Sequence, residues 1–326
     1  MHVLVTGGAG FIGSNLVEAL LANDRVSFVT VLDNLATGSL GNIAAFKNHP
    51  KFRFIEGDIR NYTDCLHACE GVDLISHQAA LGSVPRSIND PLTTNEVNIT
   101  GTLNIFTAAK EKGIKRIVYA ASSSTYGDHP GLPKQEEIIG KPLSPYAVTK
   151  YVNELYARVY ADLYGMEFIG LRYFNIFGPR QNPNGPYAAV IPLFAEALMR
   201  GVPPTINGDG THSRDFTYVS NAVQANILSL FTDNAAAINQ VYNIACGQQT
   251  SLNALFEGLK KEADSNLQAI HGPERKGDVK HSLADITKAE KLLGYSVIVS
   301  VEEGLRKTYT WYKENKTTAD TEKHGG

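Results

Sequence analysis

The first half of the chain alternates short apolar runs with longer stretches in which apolar residues recur every three or four positions. The apolar runs fall at residues 3–6, 28–33, 52–56, 74–77, 116–121 and 168–172, and each has the length of a strand buried on both faces. Helical spacing occupies 11–22, about 94–112 and 146–164. Strands that alternate with crossover helices predict an α/β fold with a doubly wound parallel sheet. Beyond residue 175 the pattern loosens, with Pro and Gly clustered over 178–192 and 201–210, as loops and short helices over a sheet edge require. The predicted organisation is a sheet domain over 1–175 and a smaller region over 176–315, from which some segments return to the sheet. A polar tail over 316–326 is expected to lack fixed structure.

Composition narrows the class. Hydrophobic residues make up 43% of 326 and charged residues 19%, ordinary values for a chain with a real core. A net charge of -3 gives no reason to expect nucleic acid or an anionic membrane as partner. Cys65, Cys69 and Cys246 are an odd number without a CxxC pair, which suits structural cysteines in a reducing compartment. Two thiolates alone make a poor zinc site, so no metal is expected. No basic and apolar leader precedes the first strand and no apolar run reaches membrane-spanning length, so the expectation is a cytoplasmic protein.

The chemistry begins after the first strand. In Thr6-Gly7-Gly8-Ala9-Gly10-Phe11-Ile12-Gly13, three glycines are spaced GxxGxxG between a strand and a helix. Glycine permits the tight turn and a close backbone approach, and the helix N-terminus favours a pyrophosphate. Asp33 ends the second strand, twenty residues past Gly13. A carboxylate there bonds ribose hydroxyls and repels a 2′-phosphate, so NAD is predicted over NADP. Asp58 follows the third strand, where it could meet the adenine edge or be a loop carboxylate.

Tyr146 and Lys150 are four apart on a predicted helix that Pro145 opens, so they share a face. A phenol titrates near 10, so to act as a base near neutral pH it needs roughly 4 kcal/mol from its surroundings. The Lys150 ammonium and a positive nicotinamide are expected to supply it. Ser122, Ser123 and Ser124 follow another buried strand, at the end where doubly wound sheets bind ligands. Each feature alone has an ordinary structural explanation. A glycine turn, a serine cluster and a Tyr-Lys pair in this order do not.

These residues resemble the extended short-chain dehydrogenase/reductase family, the NAD-dependent nucleotide-sugar epimerases and dehydratases. The resemblance runs from about residue 3 to 312 and includes His77-Gln78-Ala79-Ala80, Asn98, 171–175, 206–210, Ser213-Arg214-Asp215-Phe216 and Arg275-Lys276-Gly277-Asp278. It implies a Rossmann-type domain and a smaller C-terminal substrate region. It makes Tyr146 the general base, Lys150 the partner of the nicotinamide ribose and Ser122 the group beside the reacting hydroxyl. It places NAD against Gly7, Gly10, Phe11, Ile12, Gly13, Asp33, Asn34, Asp58, Ile59, Gln78, Ala79, Ala80, Asn98, Tyr146, Lys150 and Tyr173. It places a UDP-sugar against Ser83, Ser122, Ser123, Ser124, Tyr146, Asn175, Gln181, Ala189, Val190, Asn207, Arg214, Arg275, Asp278 and Ser282. Asn175, Arg214 and Arg275 then face the diphosphate and Asp278 the uridine ribose.

The resemblance also bears on the reaction. Family dehydratases carry an Asp-Glu pair after the active Ser or Thr, and here Ser123 and Ser124 stand there. Hydroxyls are poor acids and bases near neutral pH, so 4-epimerisation is expected. Ser282 holds the position where a bulky Tyr would exclude a 2-N-acetyl group, and a small residue leaves room for it. The segments 81–87 and 181–190 are similar to those of bacterial UDP-N-acetylglucosamine 4-epimerases of polysaccharide biosynthesis. Epimerisation of UDP-glucose, UDP-glucuronate or UDP-N-acetylglucosaminuronate is the alternative, with Arg86 a candidate for a uronic carboxylate, and a non-catalytic NAD-binding sensor is a more distant one. The resemblance implies a homodimer, but Val152, Leu155 and Val159 could equally face the chain's own sheet.

Overall fold

The computed structural model describes residues 1–183, 188–273 and 280–323. Seven strands form one sheet: β1 His2–Thr6, β2 Phe28–Asp33, β3 Phe52–Glu56, β4 Leu74–His77, β5 Arg116–Ser122, β6 Glu167–Tyr173 and β7 Gln240–Ile244. Their order is β7-β6-β5-β4-β1-β2-β3, and every neighbouring pair is parallel. The six strands predicted from apolar runs are all present. The seventh is the segment that returns from the later chain, at the sheet's edge beside β6.

Both faces are covered, as an all-parallel sheet requires. Alternate residues of the strands enter two cores. Val3, Val5, Val31, Val118 and Ile169 pack with helix α1 (Phe11–Leu21) on one side. Leu4, Leu32, Ile75, Ile117 and Tyr119 pack on the other with Cys65 of α2 (Tyr62–Ala68) and Phe106 of α3 (Thr102–Glu111). Cys65 and Cys69 are fully buried there, and burial pushes both thiols up to about 12, which suits inert packing.

The helix expected over 94–112 is interrupted. Pro91–Asn95 is helical, Glu96–Gly101 makes π-type turns, and only then does α3 begin. The wider turns place Asn98 inward.

Helix α4 (Pro145–Tyr164) opens on Ser144, whose hydroxyl accepts from the Ala147 N–H, and ends on Gly165 in the left-handed region. Its inner face is Ala147, Lys150, Asn153 and Ala157. Leu155, Val159 and Leu163 are 48%, 47% and 68% exposed, so this apolar stripe faces away from the sheet. Arg172 of β6 grips Glu154 through two bonds of 2.9 and 2.8 Å, with both side chains almost fully buried. That bidentate pair fixes α4 on the sheet.

The later chain supplies α5 (Val190–Met199), α6 (Val219–Phe231) and α7 (Val301–Lys323). Helix α6 joins α1 on its face of the sheet. Because α7 runs to Lys323, the tail expected without structure from residue 316 is helical backbone to that point, and 324–326 lie outside the described residues. Among the described residues no helix is long and apolar enough to cross a membrane, and no group of three or more His, Cys, Asp and Glu is placed to hold a metal ion.

Candidate active site

The sheet order reverses between β4 and β1, and a ligand crevice is expected outside the carboxyl ends there. Thr6, Asp33, His77, Ser122 and Tyr173 all stand at those ends. Ser122 is in register with Tyr173, and Tyr173 with Ile244 of β7.

The glycine turn is built for contact. Gly7 has φ +69, and a Cβ on it would stand 2.7 Å from the Ala79 nitrogen. A Cβ on Gly13 would stand 2.1 Å from the Gly7 carbonyl oxygen, so any side chain would lift α1 off the turn. No side chain caps α1 at Gly10, which leaves the N–H groups of its first turn, Phe11 and Ile12 included, for an anion. Asp33 accepts from the Ala9 N–H at 2.9 Å and the Leu35 N–H at 2.8 Å, which fixes its carboxylate beside the turn. Burial raises its pKa, and those backbone donors oppose the rise. Asn34 donates to Asp58 at 2.8 Å, and Arg60 clasps the same carboxylate, holding it down at about 2. These groups fit the two phosphates, ribose and adenine edge of NAD.

Other residues predicted at the cofactor also have partners within the protein. Ile59 is core: its side chain would collide with a Cβ on Gly101. Asn98 is fully buried. It accepts from the Leu81 N–H at 2.8 Å and donates to Thr149 at 3.1 Å, tying the loop after β4 to α4 beside Lys150. Gln78 and Tyr173 belong to a half-buried amide network. Tyr173 donates to Gln78 at 3.0 Å and accepts from Asn226 at 2.7 Å, while Gln78 donates to Asn226 at 2.9 Å and to Ser76 at 2.9 Å. Asn226, on α6, has no motif around it in the sequence. A buried Asn among apolar neighbours was the signal available.

His77 closes a second chain of bonds. Thr102 donates to the Asn98 carbonyl at 2.7 Å, so it accepts from Nε2 of His77 at 2.9 Å. Nδ1 then accepts from Thr6 at 2.7 Å, and Thr6 accepts from the Ala79 N–H at 3.3 Å. Burial lowers the His77 pKa to about 3, so the ring is a neutral strut between the glycine turn and Asn98.

At the reacting end, Ser122 accepts from both the N–H (3.1 Å) and the hydroxyl (2.8 Å) of Ser124. Its own hydrogen is left for the Tyr146 side, where interaction with Ser122 lowers the phenol's pKa. Ser124, predicted at the substrate, orients Ser122. Burial outweighs that interaction and leaves the Tyr146 pKa raised. Lys150 is buried, donates to the Ala120 carbonyl at 2.8 Å, and is lowered to about 8 by desolvation. The expectation that Lys150 drives Tyr146 toward phenolate is therefore not met by the protein alone, since burial dominates both groups. A cation arriving beside the phenol acts in the required direction.

A cavity of about 550 Å³ lies over the later chain, lined by Asn175, Ala189, Val190, Asn207, His212 and Arg214 among others. Five of these were predicted; His212 was not. Helix α5 begins there at Ala189 without a side-chain cap, and Asn175 sits at φ +39. The Arg214 guanidinium is held by the carbonyls of Ser213 (3.0 Å) and Lys280 (3.1 Å). The cavity thus combines a cation, two amides and an uncapped helix end, a set suited to phosphate and a base. Ser83 caps the short helix Val84–Asn89. Gln181 bonds the Ile176 carbonyl and is not among the cavity's lining residues. Ser282 accepts from the Asp215 N–H at 3.4 Å. Arg275 and Asp278 lie outside the described residues.

The model of the NAD dependent epimerase/dehydratase family matches residues 3–245. A putative UDP-glucose 4-epimerase of Methanocaldococcus jannaschii is 39% identical over 97% of this chain and 100% of its own. A UDP-N-acetylglucosamine 4-epimerase from Methanobrevibacter ruminantium M1, in complex with UDP-N-acetylmuramic acid, is 41% identical with a TM-score of 0.90, covering 96% of this chain and 98% of its own. A UDP-glucuronic acid 4-epimerase from Bacillus cereus, in complex with UDP-glucuronic acid and NAD, is 34% identical with a TM-score of 0.88, covering 97% and 100%. The chain belongs to the NAD-dependent epimerase/dehydratase family, in its extended short-chain dehydrogenase form, and NAD is its cofactor.

Proposed function

We propose that the protein is a UDP-sugar 4-epimerase that interconverts UDP-N-acetylglucosamine and UDP-N-acetylgalactosamine. NAD, when bound, supplies the acceptor and then the donor of one hydride at C4, so the sugar passes through a 4-keto form without net redox change. Tyr146 takes the proton of the 4-hydroxyl and later returns it. Ser122, oriented by Ser124, holds the reacting oxygen beside the phenol. Lys150 binds the nicotinamide ribose. Asn175, Arg214 and the start of α5 would hold the diphosphate, which keeps the nucleotide in place while the sugar turns over.

The observation that carries epimerisation over dehydration is the pair Ser123 and Ser124 after Ser122, two hydroxyls where removal of water needs a carboxylic acid. The choice of sugar is supported by Ser282, a small, half-buried side chain beside Asp215, and by the 41% identical UDP-N-acetylglucosamine 4-epimerase. Incubation with UDP-N-acetylglucosamine, without reductant, tests this by proton NMR. UDP-N-acetylgalactosamine should appear with no net NADH. Conversion of UDP-glucose or UDP-glucuronate in its place would refute the sugar assignment, and no conversion of any UDP-hexose would refute the reaction. Ser282→Tyr should impair N-acetylated substrates more than plain ones.

We also infer a homodimer through the outward stripe of α4, whose Leu155, Val159 and Leu163 form an apolar patch suited to a second copy. Light scattering should give twice the chain mass, and Leu155→Glu should give the monomer.

A further inference from the structure

Asn243, the fourth residue of β7, is fully buried and bonds three separate segments. Its Oδ1 accepts from the Tyr126 hydroxyl at 2.6 Å, and Tyr126 ends the turn that follows Ser122. Its Nδ2 donates to the Lys134 carbonyl at 2.9 Å and to the Asp285 carbonyl at 3.0 Å. Lys134 and the 283–285 stretch are themselves paired: the Lys134 N–H donates to Leu283, and the Asp285 N–H donates to Lys134. Ser282 lies at the start of that stretch and donates its N–H to the Ser213 carbonyl at 3.1 Å. The Asn243 N–H donates to Glu136 at 2.9 Å. The Glu136 carbonyl accepts from Arg172, which grips Glu154 of α4. One amide therefore spans the serine turn and the segment bearing Ser282, and its backbone neighbour reaches the helix bearing Tyr146.

We propose that Asn243 is a positioning residue for substrate choice: it sets the distance between Ser122 and Ser282, and with it the space for the sugar's 2-substituent. This rests on the reading of Ser282 given above. Every polar atom of the Asn243 amide is in use, and both of its donors end on carbonyls that only a donor can hold. Asn243→Asp keeps the acceptor for Tyr126 and turns the other bonds into a carboxylate facing two carbonyl oxygens. The Ser282 segment then loses its side-chain tie to β7, keeping only its backbone bonds to Lys134 and Ser213, while the serine turn stays anchored.

The test uses the NAD-bound protein and compares kcat/KM for UDP-N-acetylglucosamine and UDP-glucose. For Asn243→Asp the ratio of the two should fall about tenfold, with kcat on UDP-glucose within about twofold of wild type and bound NAD unchanged. Tyr126→Phe removes one bond from the far end, and its ratio should fall about threefold. Equal losses on both substrates, or an unchanged ratio, would overturn the proposal. Should Asn243→Asp not fold, Tyr126→Phe decides alone. Ser282→Tyr separates the two claims. A ratio that responds to Ser282→Tyr but not to Asn243→Asp or Tyr126→Phe removes only the role of Asn243. A ratio that ignores Ser282→Tyr, or a wild type inactive on UDP-N-acetylglucosamine, removes the reading on which it rests.

Discussion

Asn226→Leu replaces a buried amide by an apolar side chain of similar volume. The amide makes four side-chain bonds: to Tyr173 at 2.7 Å, to the Ala222 carbonyl at 2.8 Å, from Gln78 at 2.9 Å and from Ser76 at 3.1 Å. Ala222 keeps its helical partner, and Tyr173 keeps its bond to Gln78. What remains is one amide hydrogen on Gln78 and one hydroxyl hydrogen on Ser76, both facing leucine. Each orphaned buried donor costs about 1–3 kcal/mol, and the gain from burying the leucine offsets part, leaving a net loss of about 2–4 kcal/mol. Urea unfolding followed by circular dichroism reads this as a lower midpoint with an unchanged slope. NAD retention should fall as well, since Gln78 and Tyr173 stand at the crevice. A loss below about 1 kcal/mol would show that the network is not held through Asn226, and the argument would fail.

Four further outcomes follow. Tyr146→Phe should keep bound NAD and lose about 10²–10⁴ in kcat, and unchanged turnover would remove Tyr146 as the base. Ser124→Ala should lower kcat about two- to tenfold at constant KM, because Ser124 orients Ser122; a rise in KM alone would return Ser124 to the substrate. Glu154→Ala leaves Arg172 buried without its carboxylate and should cost about 3–5 kcal/mol in unfolding free energy. Lys150 is lowered to about 8, so the fold penalises its charge at neutral pH and the penalty fades as pH rises through 8 towards the unfolded value. Wild type should therefore gain about 1 kcal/mol over Lys150→Met between pH 7 and 9, and a parallel pH dependence of the two would refute it.

Much of the site was legible because its signals are local. A glycine turn between a strand and a helix, a Tyr and Lys one turn apart, and hydroxyls at a strand's end each express a spacing along the chain. The structure brings Tyr146, Ser122 and Lys150 together and gathers Asn175, Ala189, Val190, Asn207 and Arg214 around one cavity. The bonds these residues make within the protein were less legible. Asn98 bonds Leu81 and Thr149, 17 and 51 residues away, and no spacing along the chain announces either partner. Ser124 donates its hydroxyl to Ser122, a bond the spacing of the serine cluster does not announce. Lys150 was expected to shift Tyr146, and burial outweighed charge.

The sequence by itself determined the six strands from 3 to 173, the parallel doubly wound class, the preference for NAD and the candidates for the reacting side chains. These follow from apolar periodicity and from chemistry carried within one turn or one strand end. Only the tertiary structure decided that 240–244 closes the sheet beside β6, which face of α4 is outward, and which segments Asn226, Asn243 and Asp215 tie together. Asp215 is fully buried, accepts from the N–H groups of Cys246 and Ala284, and is raised to about 6 by desolvation. No local pattern marks Asn226 or Asn243, and the motif around Asp215 does not say what it bonds. Their hydrogen bonds join segments up to 150 positions apart, and the need to satisfy a polar group appears only once folding has taken it out of water.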